Sequence, residues 1–268
     1  MKFKLALCQM KGYMEKTAAH KSAKAYIQEA AQTGANMICL PEMWNCPYSS
    51  KYFHAYAEGE DGESVRLMSE LARENGVWLI GGSIPEISGD SVYNTAFVFS
   101  PQGRIMGKHR KIHLYDVDIE GGIRFVESET LSAGSKKTVV DTEFGKIGVA
   151  VCYDVRFPPL FAAMAAEGAQ LILLPAAFNM TTGPAHWDLL MRARALDQQV
   201  YFAACSPARD LAAPYQAFGH SCIINPWGEY CGQADSHESI LYGDIDLDYL
   251  NSVRAQLPLG RQRHPEAY

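Results

Sequence analysis

A carboxylate, a thiol and an ammonium stand at or near the ends of short apolar runs in this sequence. Met37-Ile38-Cys39-Leu40 leads into Pro41-Glu42, and residues 147–151 lead into Cys152. Lys111 closes the basic stretch Lys108-His109-Arg110-Lys111 at the end of a hairpin strand. Short apolar runs bounded by turn signals read as strands buried on both faces. Open α/β sheets bind ligands outside the carboxyl ends of such strands, which is where Glu42 and Cys152 fall. Singly, each residue has an ordinary explanation: a solvated glutamate, a thiol packed as a small hydrophobe, a surface lysine. Jointly they make a reaction. A thiol needs a base to become an attacking thiolate, and a carboxylate beside it takes that proton. The same carboxylate then protonates a departing amine. An ammonium and a backbone N–H stabilise the intervening oxyanion, and losing one such donor typically costs about 3 kcal/mol. No histidine is required, unlike a papain-type Cys–His pair.

The elements that must position these residues alternate between strand and helix. The spacing predicts a strand over 3–8, a helix over 14–32 stopped by Gly34, and a strand over 37–40. A helix over 63–74 and a strand over 77–80, halted at Gly81-Gly82, follow. Residues 92–99 and 104–108 read as a hairpin around Pro101-Gln102-Gly103, and 139–142 and 147–151 as another. Then come a helix over 159–167, a strand over 171–174, a helix over 185–199 and a strand over 200–205. A last hairpin joins 220–225 to Tyr230 onward. Each half thus reads strand–helix–strand–helix–strand, then hairpins. This predicts one domain in which two open sheets face each other under outer helices. A single doubly wound sheet fits less well, because hairpins need antiparallel neighbours.

Composition bounds the function. The 268 residues carry a net charge of −6, which disfavours a general nucleic-acid binder. With 48% hydrophobic and 20% charged residues, the chain can bury a full core without staples. Its cysteines are Cys8, Cys39, Cys46, Cys152, Cys205, Cys222 and Cys231, an odd number without a C-x-x-C motif. Unpaired thiols point to a reducing compartment, and the zinc and dithiol spacings are missing. Cys46 and Cys231 fall in loops by this reading, and Cys8, Cys39, Cys205 and Cys222 in apolar strands. The apolar stretch in residues 1–11 is too short, and too broken by Gln9, for a signal peptide. The uncharged run 168–187 contains Pro175, Asn179, Gly183 and Pro184 and reads as strand plus loop. The expectation is a soluble cytoplasmic protein without membrane or nucleic-acid partners. No pair among His113, His186 and His220 has the i, i+4 spacing of a helical metal site, so neither metal nor organic cofactor is expected. His186 and Asp154 are placed to orient the loops around Cys152.

Three stretches carry a resemblance. Leu40-Pro41-Glu42, Arg110-Lys111-Ile112-His113-Leu114 and Val151-Cys152-Tyr153-Asp154-Val155-Arg156-Phe157 resemble, in order and spacing, those of the nitrilase, or carbon–nitrogen hydrolase, superfamily. The resemblance runs from Cys8-Gln9 to the tail near Arg263. It implies Glu42 as general base and acid, Lys111 as oxyanion stabiliser, Cys152 as nucleophile and the Tyr153 N–H as second oxyanion donor. It also implies a second glutamate, Glu127, that positions substrate or handles a proton. The implied fold is a four-layer αββα sandwich, here one domain over 1–268, and the implied assembly a homodimer or larger homo-oligomer.

Within that superfamily, residues 41–48, 114–119, 177–187 and 204–210 look like the ω-amidase branch. Its members hydrolyse the terminal amide of short 2-oxo dicarboxylic acid monoamides such as 2-oxoglutaramate and 2-oxosuccinamate. Deaminated-glutathione amidases share Gly183-Pro184-Ala185-His186-Trp187 and Cys152-Tyr153-Asp154 and are the nearest alternative. Phe178-Asn179-Met180-Thr181-Thr182 and Ser206-Pro207-Ala208-Arg209-Asp210 fit ω-amidases better. Ile119-Glu120-Gly121-Gly122 departs from relatives, which commonly place a proline after the apolar position. A substrate that carries a carboxylate calls for a cation in bidentate geometry. Arg156 is the first candidate, its alternative being a pairing with Asp154 or another acid that fixes the loop. Tyr48 and Thr182 are candidates for hydrogen bonding the oxo acid, and Phe178 for a wall of the pocket.

Overall fold

The computed structural model describes residues 1–118, 120 and 124–267. The first half runs β1 (Lys2–Gln9), α1 (Lys16–Gln32), β2 (Met37–Cys39), α2 (Ser50–Tyr56), α3 (Glu63–Asn75), β3 (Trp78–Ile80), β4 (Ile84–Ser88), β5 (Ser91–Phe99) and β6 (Ile105–Arg110). A short ribbon, β7 (Asp116–Asp118) and β8 (Arg124–Val126), follows. The second half runs β9 (Thr138–Thr142), β10 (Gly145–Val149), α4 (Pro158–Ala166), β11 (Leu171–Pro175), α5 (Gly183–Gln198), β12 (Tyr201–Cys205), β13 (Cys222–Ile224) and β14 (Tyr230–Gln233). β15 (Ser239–Asp246) and α6 (Leu247–Gln256) complete it.

Side-chain alternation sets the layers. Phe3, Leu5 and Leu7 of β1 join Met37, Cys39, Trp78, Ile80, Ala96 and Val98 in a core shared with the second sheet. The intervening residues Ala6, Cys8, Ile38, Leu79 and Phe97 face the other way, onto Ala19, Ala23 and Ile27 of α1 and Val65, Met68 and Leu71 of α3. The first sheet has the order β15-β1-β2-β3-β5-β4, with β6 on the far side of β5. The second has the order β14-β13-β12-β11-β10-β9. Phe161 and Met164 of α4 and Trp187, Met191 and Ala195 of α5 close the other outer face. The result is the expected αββα sandwich. In each sheet the central strands pair in parallel and the flanking hairpins antiparallel.

Several elements go beyond the sequence pattern. β15 pairs antiparallel with β1 from Lys2↔Asp246 to Gln9↔Ser239, so the end of the chain returns to the first sheet. Its Ser-Ile-Leu-Tyr-Gly-Asp-Ile-Asp is half-buried almost throughout and shows no clean apolar alternation. α6 starts where the Asp246 carboxylate accepts the Asp248 and Tyr249 N–H groups, an N-cap. β4 and α2 carry too many polar residues to read as core elements. Cys231 lies in β14 and not in a loop, while Cys46 sits in a buried turn. The Ile119-Glu120-Gly121-Gly122 departure falls, but for Glu120, outside the described residues. No helix of the described residues is long and apolar enough to cross a membrane.

Leu5 is fully buried in the inter-sheet core. Leu5→Ala removes packing there, and chemical unfolding is expected to show a loss of about 2–5 kcal/mol. A loss below about 1 kcal/mol would contradict a close-packed interface between the sheets.

Candidate active site

The turn after β2 carries Glu42. Ser83 N–H donates to the Pro41 carbonyl, Trp44 N–H to the Ser83 carbonyl, and Met43 N–H to Ser83 Oγ. This close approach needs Gly82, at φ 60°, where a Cβ would lie 2.2 Å from the Pro41 carbonyl oxygen. The sequence's Gly81-Gly82 stop thus also seats the Glu42 turn. The carboxylate points inward and is buried. Its Oε1 accepts Asn94 Nδ2 at 2.8 Å and Lys111 Nζ at 3.1 Å. Its Oε2 is buried with no hydrogen-bond partner among the described residues.

Lys111 is not at the surface: it is among the largest fully buried side chains. Its main chain donates to the Asn94 carbonyl and accepts from Gly134 N–H, both at 2.8 Å. Its ammonium lies between Glu42 and Glu127, 2.9 Å from the latter. Burial alone would lower the lysine's pKa, but Glu127, Glu42 and the neighbouring Cys152 hold it well above the usual lysine range. Glu127 opens a 3-10 turn, Glu127–Glu129, after β8. Its carboxylate also accepts Tyr115 N–H at 2.8 Å and the Tyr48 hydroxyl at 3.3 Å. Burial pushes Glu127 up, and Glu42 adds to this, against the pull of Lys111.

β10 ends at Val149, two residues earlier than the apolar pattern suggests, and the chain turns at Cys152 with φ 44°. A non-glycine residue in this region is strained and aims its side chain out of the strand direction. The turn, Cys152–Arg156, is held by Asp154. Its carboxylate accepts Val151 N–H at 3.1 Å, His113 N–H at 3.0 Å, and contacts His109 Nε2 and His113 Nδ1 at 2.9 and 2.8 Å. Asp154 therefore ties the Cys152 turn to the chain around Lys111, the orienting role its position suggested. Burial would raise Asp154, but hydrogen bonds from His109 and His113 outweigh it and hold the carboxyl well below the usual range. Arg194 of α5 adds a bond from Nε to the Val155 carbonyl, 2.8 Å. The Cys152 thiol is pushed well up, first by burial, then by Glu42; Lys111 and the Ala177 N–H oppose this without reversing it.

Cys152 opens onto a crevice lined by Tyr153, Arg156, Phe178, Asn179 and Thr182, with Tyr48, Tyr115 and Tyr215 opposite. Its free space is about 10 Å³, room for a single water. Tyr48 and Tyr215, ring centroids 4.4 Å apart, line both this crevice and a chamber of about 290 Å³ whose lining includes Glu42. Arg156 does not pair with Asp154. One guanidinium nitrogen contacts His186 Nδ1 at 3.1 Å, and Nε is buried without a partner among the described residues. The guanidinium lies over the rings of Tyr153 and Phe178, at 5.5 and 5.4 Å. Phe178 is buried with its ring against Trp187, so it is both core and wall. Thr182 Oγ1 bonds Asn179 Oδ1, and the Tyr48 hydroxyl is engaged by Glu127, so these two reach the crevice already partnered. Asn94, Tyr115, Asn179, Tyr215 and His109 were not singled out by sequence. Their side chains meet the site only through the fold, and no local spacing marks them. Among the described residues no three His, Cys, Asp or Glu side chains group as metal ligands.

The sequence matches the carbon–nitrogen hydrolase family over residues 4–255. The chain belongs to that family. It is 53% identical over 267 residues to omega-amidase NIT2-A of Xenopus laevis, covering all of this chain and 97% of the relative. It is 48% identical over 266 residues to omega-amidase NIT2 of Homo sapiens, covering 99% and 96%. The crystal structure of Saccharomyces cerevisiae Nit3, a member of branch 10 of the nitrilase superfamily, superposes with a TM-score of 0.90 at 41% identity, covering 96% of this chain and 95% of that one. The carbon–nitrogen hydrolase is therefore an enzyme of the amidase type, and its fold is that of the nitrilase superfamily.

Asp154 gives this hydrolase an acid-sensitive joint. A carboxyl held below its unfolded value of 3.8 contributes stability that is complete above about pH 5 and is lost as pH falls through and below that value. Asp154→Ala leaves two histidines and two N–H groups without their acceptor. It is expected to lower unfolding free energy at pH 7 by about 3 kcal/mol or more. The variant's stability should also decline less than the wild type's between pH 5 and 3. Equal slopes for the two proteins in denaturant titrations would remove Asp154 from this role.

Proposed function

We propose that this hydrolase is an ω-amidase that converts short 2-oxo dicarboxylic acid monoamides to the 2-oxo acid and ammonia through a Cys152 thioester. Glu42 Oε2 takes the thiol proton as Sγ attacks the amide carbon. The oxyanion forms near the Lys111 ammonium and the Tyr153 N–H. Glu42 then gives its proton to the amine nitrogen, the C–N bond breaks and ammonia leaves. Water attacks the thioester carbon as Glu42 takes one of its protons. The C–S bond breaks, the acid is released, and the proton returns to sulfur. Glu127, buried and pushed up, keeps the lysine between two acceptors and orients the substrate amide. The chain works as one domain over 1–268. The reaction needs no cofactor, its free thiol suits a cytoplasmic setting, and the enzyme assembles as a homodimer or larger homo-oligomer.

One observation carries the substrate class. Arg156 is a cation without a carboxylate partner among the described residues, on the same crevice as the nucleophile. A half-buried guanidinium flanked by aromatic rings, with one N–H unsatisfied, is a receptor for a carboxylate. Thr182, Tyr48 and Phe178 fit around the oxo-acid body, and admission of that body displaces the Tyr48–Tyr215 pair. The names of the full-length relatives support the same activity.

Cys152→Ala should abolish ammonia release from 2-oxoglutaramate while the variant stays folded by circular dichroism. Arg156→Ala should cut kcat/KM for 2-oxoglutaramate by about 100-fold, through a buried charge pair lost. The same variant should change turnover of a neutral short amide such as butyramide less than about threefold, because no carboxylate is bound there. Equal losses on both substrates would refute Arg156 as the carboxylate receptor. A wild type that prefers deaminated glutathione in side-by-side assays would move the enzyme to the neighbouring branch.

A further inference from the structure

Asn94 lies in β5 opposite Pro85 of β4 and is fully buried. By alternation it faces the same side as Ala96, which packs in the inter-sheet core. An amide in such a place should find partners for both ends, or be replaced by an apolar residue. Asn94 does neither. Its Nδ2 donates to Glu42 Oε1 at 2.8 Å, while its Oδ1 is buried with no partner among the described residues. Its main-chain carbonyl accepts Lys111 N–H at 2.8 Å. One residue therefore holds both the carboxylate and the lysine backbone.

We infer that Asn94 is a positioning residue that selects which oxygen of Glu42 exchanges the proton. Two donors, Asn94 Nδ2 and Lys111 Nζ, converge on Oε1. An oxygen that already accepts two hydrogen bonds is a poor proton acceptor, so the thiol proton goes to Oε2, which is bare. Lysine alone does not fix this choice, because an ammonium held between Glu42 and Glu127 meets whichever oxygen a rotated Glu42 carboxylate presents to it. The asparagine amide, locked in a strand, comes from one direction and stops that rotation. This inference rests on the proposed role of Glu42 as the base. It deepens that role by naming the atom and the residue that sets it.

The test compares Asn94→Ala, Asn94→Asp and Glu42→Gln in the full-length enzyme. Active sites are counted by stoichiometric iodoacetamide labelling of Cys152, so loss of folded protein is divided out. Both Asn94 variants are expected to lose about ten- to a hundredfold in kcat per labelled site, the range for a hydrogen bond to a charged group. KM should stay within about twofold, because Asn94 does not touch the crevice. The second-order rate of Cys152 alkylation should fall in step with kcat. In the Glu42→Gln background, Asn94→Ala should change the alkylation rate by less than about twofold, since its effect passes through the carboxylate. If the Asn94 variants keep normal kcat per labelled site and lose only the number of sites, Asn94 is structural and the inference fails. The same follows if Asn94→Ala slows alkylation equally in both backgrounds. Full activity of Glu42→Gln would instead overturn the assignment of the base, a distinct result.

Discussion

The structure depends on one ammonium buried between two carboxylates. Lys111, Glu42 and Glu127 are all withdrawn from water. Moving such ions out of solvent costs several kcal/mol each, and their attraction offsets that only when geometry is good and remaining valences are filled. The chain fills most of them with Asn94, the Tyr115 N–H and the Tyr48 hydroxyl. Those partners come from β5, from the segment leading to β7, and from the turn after β2. Three separate segments must therefore meet at one point. The sandwich brings them there: the first sheet delivers Glu42 and Lys111, and the second delivers Cys152.

Charge counting bears on Glu127 and on the thiol beside it. One ammonium balances one carboxylate. The second has no cation of its own, and burial together with Glu42 pushes Glu127 up. The two carboxyl groups share one lysine. Burial raises the thiol's pKa first, and the negative charge of Glu42 adds to it. In the proposed reaction, then, the resting nucleophile is a neutral thiol beside a base and not a preformed thiolate. Deprotonation accompanies attack, as general-base catalysis requires. A neutral, buried thiol is also less exposed to oxidants than a thiolate at the surface.

What was legible in the sequence follows from the range of each signal. Continuous apolar runs marked the central strands, because both faces of each are covered. Glu42 and Cys152 were visible because they stand just beyond such runs. Lys111 was legible only jointly with them; its basic neighbours point to the surface, and the fold buries it instead. β15 escaped because a half-buried edge strand with two aspartates carries no clean period. Asn94 and Tyr215 escaped for a different reason. Their side chains matter through partners tens or hundreds of residues away, such as Glu42 at a separation of 52. Arg156 is legible as a cation four residues after Cys152, but its freedom from Asp154 is not. It became clear only once His109 and His113 were seen to occupy that carboxylate.

The two cations of the site are handled in opposite ways, and the difference suits the work proposed for each. Lys111 is saturated: two carboxylates hold it, and its charge is spent inside the protein until an oxyanion forms nearby. Such a cation stabilises a charge that develops at a fixed place and costs little reorganisation at that moment. Arg156 is left open: a histidine nitrogen touches one arm, aromatic faces flank its guanidinium, and Nε has no partner among the described residues. In the proposed reaction it would take the substrate's carboxylate. Had Asp154 paired with Arg156, as its position in the sequence allows, that receptor would be closed. The two histidines from the Lys111 side keep Asp154 occupied, so the joint that holds the Cys152 turn also leaves the guanidinium without a carboxylate partner.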